Sequence, residues 1–147
     1  MNWTQYFVNI AEVVKLKSKD INTQIGAVIV GRDHEIVSTG YNSFPRGIKD
    51  LEPERQERPE KYYWMEHAER NAIYNAARIG VSTNHCTIYL TCGMPCADCA
   101  RAIINAGIRT IYCKSGDVGA KDARWVEHAK RSEIMFKESD VRVIYYE

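Results

Sequence analysis

The sequence predicts an α/β domain: a five-stranded sheet carrying helices on both faces. Three observations carry this. Short runs rich in branched apolar residues alternate with stretches of helical period, in the order α-β-β-α-β-α-β-α-β. The run IGAVIV, Ile25 to Val30, is apolar almost throughout, as a strand covered on both faces requires. After an opening hairpin, strand and helix alternate, so most of the sheet is expected to be parallel. At 147 residues the chain is long enough for a core of its own and is expected to form one domain over 1–147.

Phe7, Ile10, Ala11 and Val14 fall at i, i+3, i+4 and i+7. They mark a helix from about Trp3 to Lys17, broken by Ser18-Lys19-Asp20. Ile25–Val30 and Glu35–Thr39, joined by a turn at Gly31–His34, make the hairpin. Gly40 to Gly47 (GYNSFPRG) sets two glycines and a proline around an aromatic and an amide, the composition of an ordered loop. Residues 49–61 are mixed in charge and expected to be exposed; a connection of this length is usually functional or a lid. Helical period returns from Trp64 to Gly80, with Ile73, Ala76, Ala77 and Gly80 as its inward row and Gly80 as its stop. Thr87–Thr91 is the third strand. Ala97–Ala106 is the third helix, with Pro95 just ahead of it. Arg109–Cys113 is the fourth strand and Gly116–Gly119 a turn or lid. Trp125, Ala129, Ser132 and Phe136 mark the fourth helix, and Val141–Tyr146 closes the sheet.

The bulk chemistry narrows the class. A hydrophobic fraction of 45% and a charged fraction of 27% are ordinary for a globular protein. Twenty basic and 19 acidic residues give a net charge of +1, which argues against a large surface for wrapping nucleic acid. No run of 18 apolar residues offers a membrane span. The first 20 residues lack the basic start, apolar block and cleavage site of a secretion signal. The five cysteines (Cys86, Cys92, Cys96, Cys99 and Cys113) are an odd number, so a disulfide framework is not expected. A reducing cytoplasm is the expected compartment, and it leaves Cys96 and Cys99 available as thiolates.

His67, Cys96 and Cys99 are the candidate metal ligands. An imidazole and two thiolates leave one tetrahedral position open, as in catalytic rather than structural zinc sites. Glu69 lies four residues before Ile73, on the expected inward row, where a charge needs a partner or a job. Cys96, Cys99, Ala100 and Ile103 share another row, so both thiols face the core. Two helix starts meeting at the ligands would favour thiolates. His67 and Glu69, two apart, would diverge in mid-helix, so His67 is required at the first turn. Ala68 between them is small enough to let a flat ring approach the backbone. The chemistry that fits is hydrolytic deamination. Glu69 takes a proton from the attacking water and passes it to a ring nitrogen, and ammonia leaves. His-x-Glu followed by Pro-Cys-x-x-Cys, at His67–Glu69 and Pro95–Cys99, is the signature of zinc nucleobase deaminases.

The stretches SKDINTQIGAVIV, STGYNSFPRG, HAERNAIYNAARIG and PCADCARAIINAGI, within Ser18 to Ile108, resemble the deoxycytidylate deaminase family. The resemblance implies a cytidine-deaminase-like three-layer α/β/α fold, with a five-stranded mixed sheet and helices on both faces. It implies one catalytic Zn2+ on His67, Cys96 and Cys99, Glu69 as proton shuttle, and Asn42 and Ala68 at the substrate. The substrate implied is dCMP, giving dUMP for thymidylate synthesis. It also implies a homo-oligomer, a hexamer by preference, activated by dCTP with Mg2+ and inhibited by dTTP. Lys19, Gly40, Tyr41, Ser43 and Arg46 are then the candidates for phosphate or effector contacts, with Lys17 a further candidate for the 5′-phosphate. Tyr62, Tyr63 and Trp64 are candidates for a pyrimidine cap, a subunit contact or ordinary packing, Arg78 for a subunit contact, and His128 reads as a surface histidine. Ser43 stands where the family has glycine, and Thr91–Pro95 (TCGMP) is one residue longer than usual. No additional Cys/His cluster of the kind that holds a second zinc is evident in the sequence. Two alternatives stay open. One keeps the chemistry on a nucleoside, a 5-modified dCMP, or a base in tRNA or single-stranded DNA. The other is a catalytically silent zinc module that senses nucleotides.

Overall fold

A computed structural model of the chain describes residues 1–116 and 123–147. The expected turn or lid at Gly116–Gly119 therefore lies, apart from Gly116, outside the described residues. Helix α1 (Trp3–Val14) runs into a 3-10 turn (Lys15–Lys17), and together they cover the expected stripe. The Asn2 side chain caps α1 by accepting from the Gln5 N–H at 2.8 Å.

β1 (Gly26–Val30) and β2 (Ile36–Tyr41) form the hairpin. β2 runs two residues further than expected, because Gly40 and Tyr41 continue the ladder opposite Ala27 and Gly26. β3 (Thr87–Leu90), β4 (Thr110–Lys114) and β5 (Arg142–Tyr146) complete a sheet of order β2-β1-β3-β4-β5. β1 is antiparallel to both neighbours, while β3, β4 and β5 are mutually parallel. Four strands run one way, yet only half of the pairings are parallel, fewer than expected. The reason is the crossover: β2 and β3 are the parallel pair of a β-α-β unit, and β1 sits between them.

β1 sorts the two faces by alternation. Ala27 and Ile29 point into the larger core with Ala72, Ala100, Ile103 and Phe136. These come from α3 (Ala68–Ile79), α4 (Ala97–Asn105) and α5 (Ala123–Glu138). Val28 and Val30 point the other way, onto Phe7 and Ala11 of α1 and Tyr89 of β3. The result is three layers with a five-stranded mixed sheet in the middle. Gly40 sets how closely α3 can lie on β2: a Cβ there would stand 2.3 Å from Ala72 N and 2.6 Å from Ala68 O.

The single helix expected over Trp64–Gly80 is two helices. α2 (Lys61–Trp64) ends at Met65, and α3 starts only after His67. The interruption has a partner: Ser43 N–H donates to Glu66 O at 3.1 Å and Glu66 N–H to Ser43 O at 2.8 Å. The inward row of α3 is Ala68, Glu69, Ala72 and Ala76, with Ile73 half-buried, whereas Ala77 and Gly80 are exposed. Gly80 ends the helix as expected, at φ +78°. Nor is 49–61 wholly exposed, because Gln56 and Lys61 are buried.

Candidate active site

The site forms where α3 and α4 begin side by side. His67 is the N-cap of α3, with extended backbone (φ −77°, ψ 152°). This meets the requirement that it stand at the helix start, so its ring and the Glu69 side chain can serve one cavity. Cys96 is the N-cap of α4, and its Sγ accepts from the Cys99 N–H at 3.4 Å. His67 Nδ1 lies 3.5 Å from Cys96 Sγ and 3.3 Å from Cys99 Sγ. A tetrahedral zinc with ordinary Zn–N and Zn–S bonds would set such edges at about 3.5 Å. The donor set therefore fits zinc in chemistry and spacing. Glu69 is not part of that ligand cluster, although it is 3% exposed and lines the same cavity.

The electrostatics reflect crowding of donors. The hydrogen bond from Cys99, and then that to His67, hold the Cys96 thiol down to about 4. Cys99, whose proton serves Cys96, is pushed well above the ordinary thiol range. Hydrogen bonding to Cys96 raises His67. Burial pushes the Glu69 carboxyl up, with the charge of His67 opposing.

Glu66, Arg70 and Asp98, to which the sequence assigns no role, hold this corner together. Glu66 Oε1 accepts from the His67 N–H at 3.0 Å and from Arg70 Nε at 2.6 Å. Arg70 reaches on to Asp98 of α4 at 3.8 Å, tying one helix start to the other. Burial works against the Arg70 charge, but Cys99 and Glu66 outweigh it and raise its pKa. His128 of α5 is half-buried, not a surface histidine, and its Nδ1 accepts from the Ala97 N–H at 3.0 Å. The i, i+4 spacing of Glu66 and Arg70 was a usable signal; no local signal joins His128 to Ala97.

The cavity above the ligands has a volume of about 450 Å3. His67, Glu69 and Cys96 lie at its metal end, Asn42 and Lys61 line its wall, and Arg58, Tyr62 and Arg124 stand at its exposed rim. Asn42 Oδ1 accepts from the Ile25 N–H at 2.8 Å. Its Nδ2 donates to Thr23 O at 2.8 Å and Asp20 Oδ2 at 3.4 Å. Both amide hydrogens are thus used within the chain, and the side chain retains only acceptor capacity on Oδ1. Asp20 is paired in turn with Lys61 Nζ at 2.9 Å, both buried. The Ala68 side chain is fully buried in the core at the head of α3 and does not line the cavity, which leaves only its backbone amide to face a substrate. Thr91–Pro95 is packed throughout, and Cys92 adds to the cavity lining.

Lys19, Tyr41, Ser43 and Arg46 are elsewhere. With Lys17 and Arg78 they line a second cavity of about 610 Å3, which shares Asp20 and Met65 with the first. Gly40 lines neither. Lys19 is paired with Asp50 at 3.0 Å, and Arg46 donates to Asn75 Oδ1 at 2.8 Å. Ser43 is not among the residues with positive φ, so a side chain at this family glycine position brings no left-handed strain. Of the three consecutive aromatics only Tyr62 reaches the metal cavity. Tyr63 is exposed, and Trp64 lies under the Arg55 guanidinium at 4.0 Å.

Residues 1–115 match the family described as the cytidine and deoxycytidylate deaminase zinc-binding region. The chain belongs to that family. It is 38% identical over 143 residues to an uncharacterized deaminase of Aliivibrio fischeri, covering 97% of this chain and 92% of the other. It is 37% identical over 120 residues to the deoxycytidylate deaminase of Homo sapiens, covering 78% of this chain and 66% of that one. It thus spans nearly the whole bacterial relative but about two thirds of the human one. In fold it matches the crystal structure of dCMP deaminase from the cyanophage S-TIM5 in complex with dCMP and dUMP. The TM-score is 0.73 at 21% identity, over 97% of this chain and 95% of that one. The chain is therefore a zinc-dependent deaminase by family, fold and donor set. Among the described residues no helix is long and apolar enough to cross a membrane.

Proposed function

We propose that this chain, one deaminase domain over 1–147, converts dCMP and water to dUMP and ammonia, supplying dUMP for thymidylate synthesis. One observation carries the reading: a buried carboxylate, Glu69, lines the same cavity as His67 and Cys96, two of the three clustered donors that Cys99 completes from beneath. Relatives 37% and 35% identical to it are named deoxycytidylate deaminase, which favours dCMP among cytosine substrates.

His67, Cys96 and Cys99 would hold the zinc, which when bound activates a water for attack. Glu69 accepts a proton from that water as its oxygen bonds to C4 of the cytosine. It delivers a proton to N3, and proton transfer to the 4-amino group lets ammonia depart as the C4 carbonyl forms. Burial suits Glu69 to this work, since it raises the carboxyl above its ordinary range and so makes it a better proton acceptor than an exposed carboxylate. Asn42 Oδ1 accepts from a sugar hydroxyl, the one polarity its internal bonds leave open. The Ala68 amide, in the unpaired first turn of α3, is assigned to the base.

Effector control by dCTP with Mg2+ and by dTTP is assigned to the second cavity, where Lys19, Tyr41, Ser43 and Arg46 meet. Exposed apolar side chains such as Trp3, Val13, Tyr74 and Ile79 suit a homo-oligomer, a hexamer by preference, to be checked by light scattering. The five free thiols suit a reducing cytoplasm.

The test is ammonia release from dCMP, dCTP, deoxycytidine and cytidine, each with and without dCTP–Mg2+ and dTTP. dCMP is expected to have the highest kcat/KM. Glu69→Ala is expected to keep its zinc and lose about 10²–10⁴-fold in kcat, the usual worth of a general acid–base. Full turnover by that variant would remove Glu69 from the mechanism.

A further inference from the structure

dCMP carries one sugar hydroxyl, the 3′-OH, and a hydroxyl both donates and accepts. Asn42 can meet only half of it. Its amide hydrogens go to Thr23 O at 2.8 Å and Asp20 Oδ2 at 3.4 Å, so it offers an acceptor and no donor. A hydroxyl drawn out of water onto Asn42 alone would leave its oxygen without a donor, which is costly in a closed site.

A donor stands on the same carboxylate. Lys61 Nζ lies 2.9 Å from Asp20 Oδ2, the oxygen that also receives the Asn42 amide, and 3.1 Å from Asp20 Oδ1. An ammonium has three N–H groups. Among the described residues Asp20 is the only partner of Nζ, and two carboxylate oxygens leave one N–H over. Lys61, Asp20 and Asn42 all line the metal cavity. The Lys61 side chain is 9% exposed, so once the cavity is filled the ligand is what can take that N–H.

We propose that Lys61 is a further substrate-binding residue: it donates to the 3′-hydroxyl oxygen while Asn42 Oδ1 accepts the hydroxyl proton, and the two make the site select for a free 3′-OH. Charge favours a hydroxyl here over an anion. Asp20 neutralises Lys61 at contact distance, so a phosphate brought to this wall would meet a carboxylate as well as an ammonium. A neutral hydroxyl meets only a directed N–H. Asp20 also fixes the ammonium in advance, so the long lysine side chain has little rotamer freedom left to lose when substrate binds. Lys61 opens α2 and Asp20 precedes β1, so the clamp is assembled by the fold and not by a local motif.

The clamp rests on the reading of dCMP as substrate, and its test separates the two. kcat/KM is measured on dCMP and on 2′,3′-dideoxy-CMP, which lacks only that hydroxyl. The proteins are the wild type, Lys61→Met, and the double variant Lys61→Met with Asp20→Asn. The double variant strands no charge, and an amide at position 20 still accepts from the Asn22 and Thr23 N–H groups, so it serves where the single variant fails to fold. The wild type is expected to prefer dCMP. The variants are expected to lose about tenfold of that preference through a higher KM for dCMP, the worth of one charged hydrogen bond. A preference that survives intact, whether or not overall activity falls, overturns the clamp and leaves Lys61 and Asp20 a structural pair. Wild type that treats the two nucleotides alike overturns it as well. Deoxycytidine and 2′,3′-dideoxycytidine are run alongside. Wild type that deaminates deoxycytidine and not dCMP overturns the dCMP reading, and the clamp then stands or falls on the same loss in the nucleoside pair. Wild type that deaminates none of the four overturns both.

Discussion

Lys61 carries an ammonium into the wall of the metal cavity, where Asp20 meets it and Asp20 in turn touches Asn42. The pair thus steadies the amide assigned to the sugar. Replacing one member strands the other. Lys61→Met leaves the Asp20 carboxylate with backbone donors from Asn22 and Thr23 but no cation, and should cost about 3–5 kcal/mol in urea unfolding. A loss under about 1 kcal/mol would mean that water reaches the pair freely. The pH dependence has a definite sign. Burial alone would raise Asp20, but bonds from Lys61, Asn22 and Thr23 hold it below its ordinary 3.8. A depressed carboxyl stabilises the fold above its unfolded value and stops doing so as pH falls through its folded one. Wild-type stability should therefore fall on acidification below about 3.8, and Asp20→Asn should flatten that limb. Glu69 was legible from sequence because a charge on an apolar helical row stands out. Lys61 was not, since its partner lies 41 residues away in a stretch of ordinary mixed charge.

At the scale of elements, α3 is placed by close approach more than by side-chain bulk. Gly40 faces its backbone, and Gly26 faces α1 in the same manner, 2.1 Å from Ala11 O if a Cβ were added. Gly40→Ala must push α3 away from β2, and overpacking of this kind costs about 1–3 kcal/mol. Since α3 carries both His67 and Glu69, the variant should also bind zinc more weakly, measurable by competition with a chromogenic chelator. Unchanged stability and zinc affinity would show that α3 slides without consequence. The periods of the sequence gave away the strands and the four longer helices, because burial imposes periods of 2 and 3.6 on apolar residues. They could not give the break at Met65–His67. That break is a backbone bridge from Glu66 to Ser43, and hydrogen bonds between main chains leave no mark on side-chain pattern. For the same reason the expected β2 stops at Thr39, two residues short of its end at Tyr41. The small residue at Gly40 reads locally as a loop, but here it makes room for a helix.

Taken whole, the molecule spends its topology on bringing two helix starts together. The crossover from β2 through α3 to β3 sets β1 inside the sheet, and α4 follows directly from β3. Strand order is a matter of pairing between distant segments, so the mixed sheet was less legible from the alternation of elements than from the family resemblance. The donor atoms of His67, Cys96 and Cys99 are within 4.8 Å of one another. A bound ion would therefore join α3 to α4, and it would stabilise the whole fold and not merely the site. At free zinc about a thousandfold above Kd, linkage gives about 4 kcal/mol. For a chain of this size that corresponds to a rise in Tm on the order of 10 °C over metal-free protein. In Cys99→Ala, which lacks one of the three donors, the zinc-dependent shift should largely disappear. If chelated and zinc-loaded wild type melt together, the ion does not couple the two helices, and Glu66, Arg70 and Asp98 alone hold their starts in place.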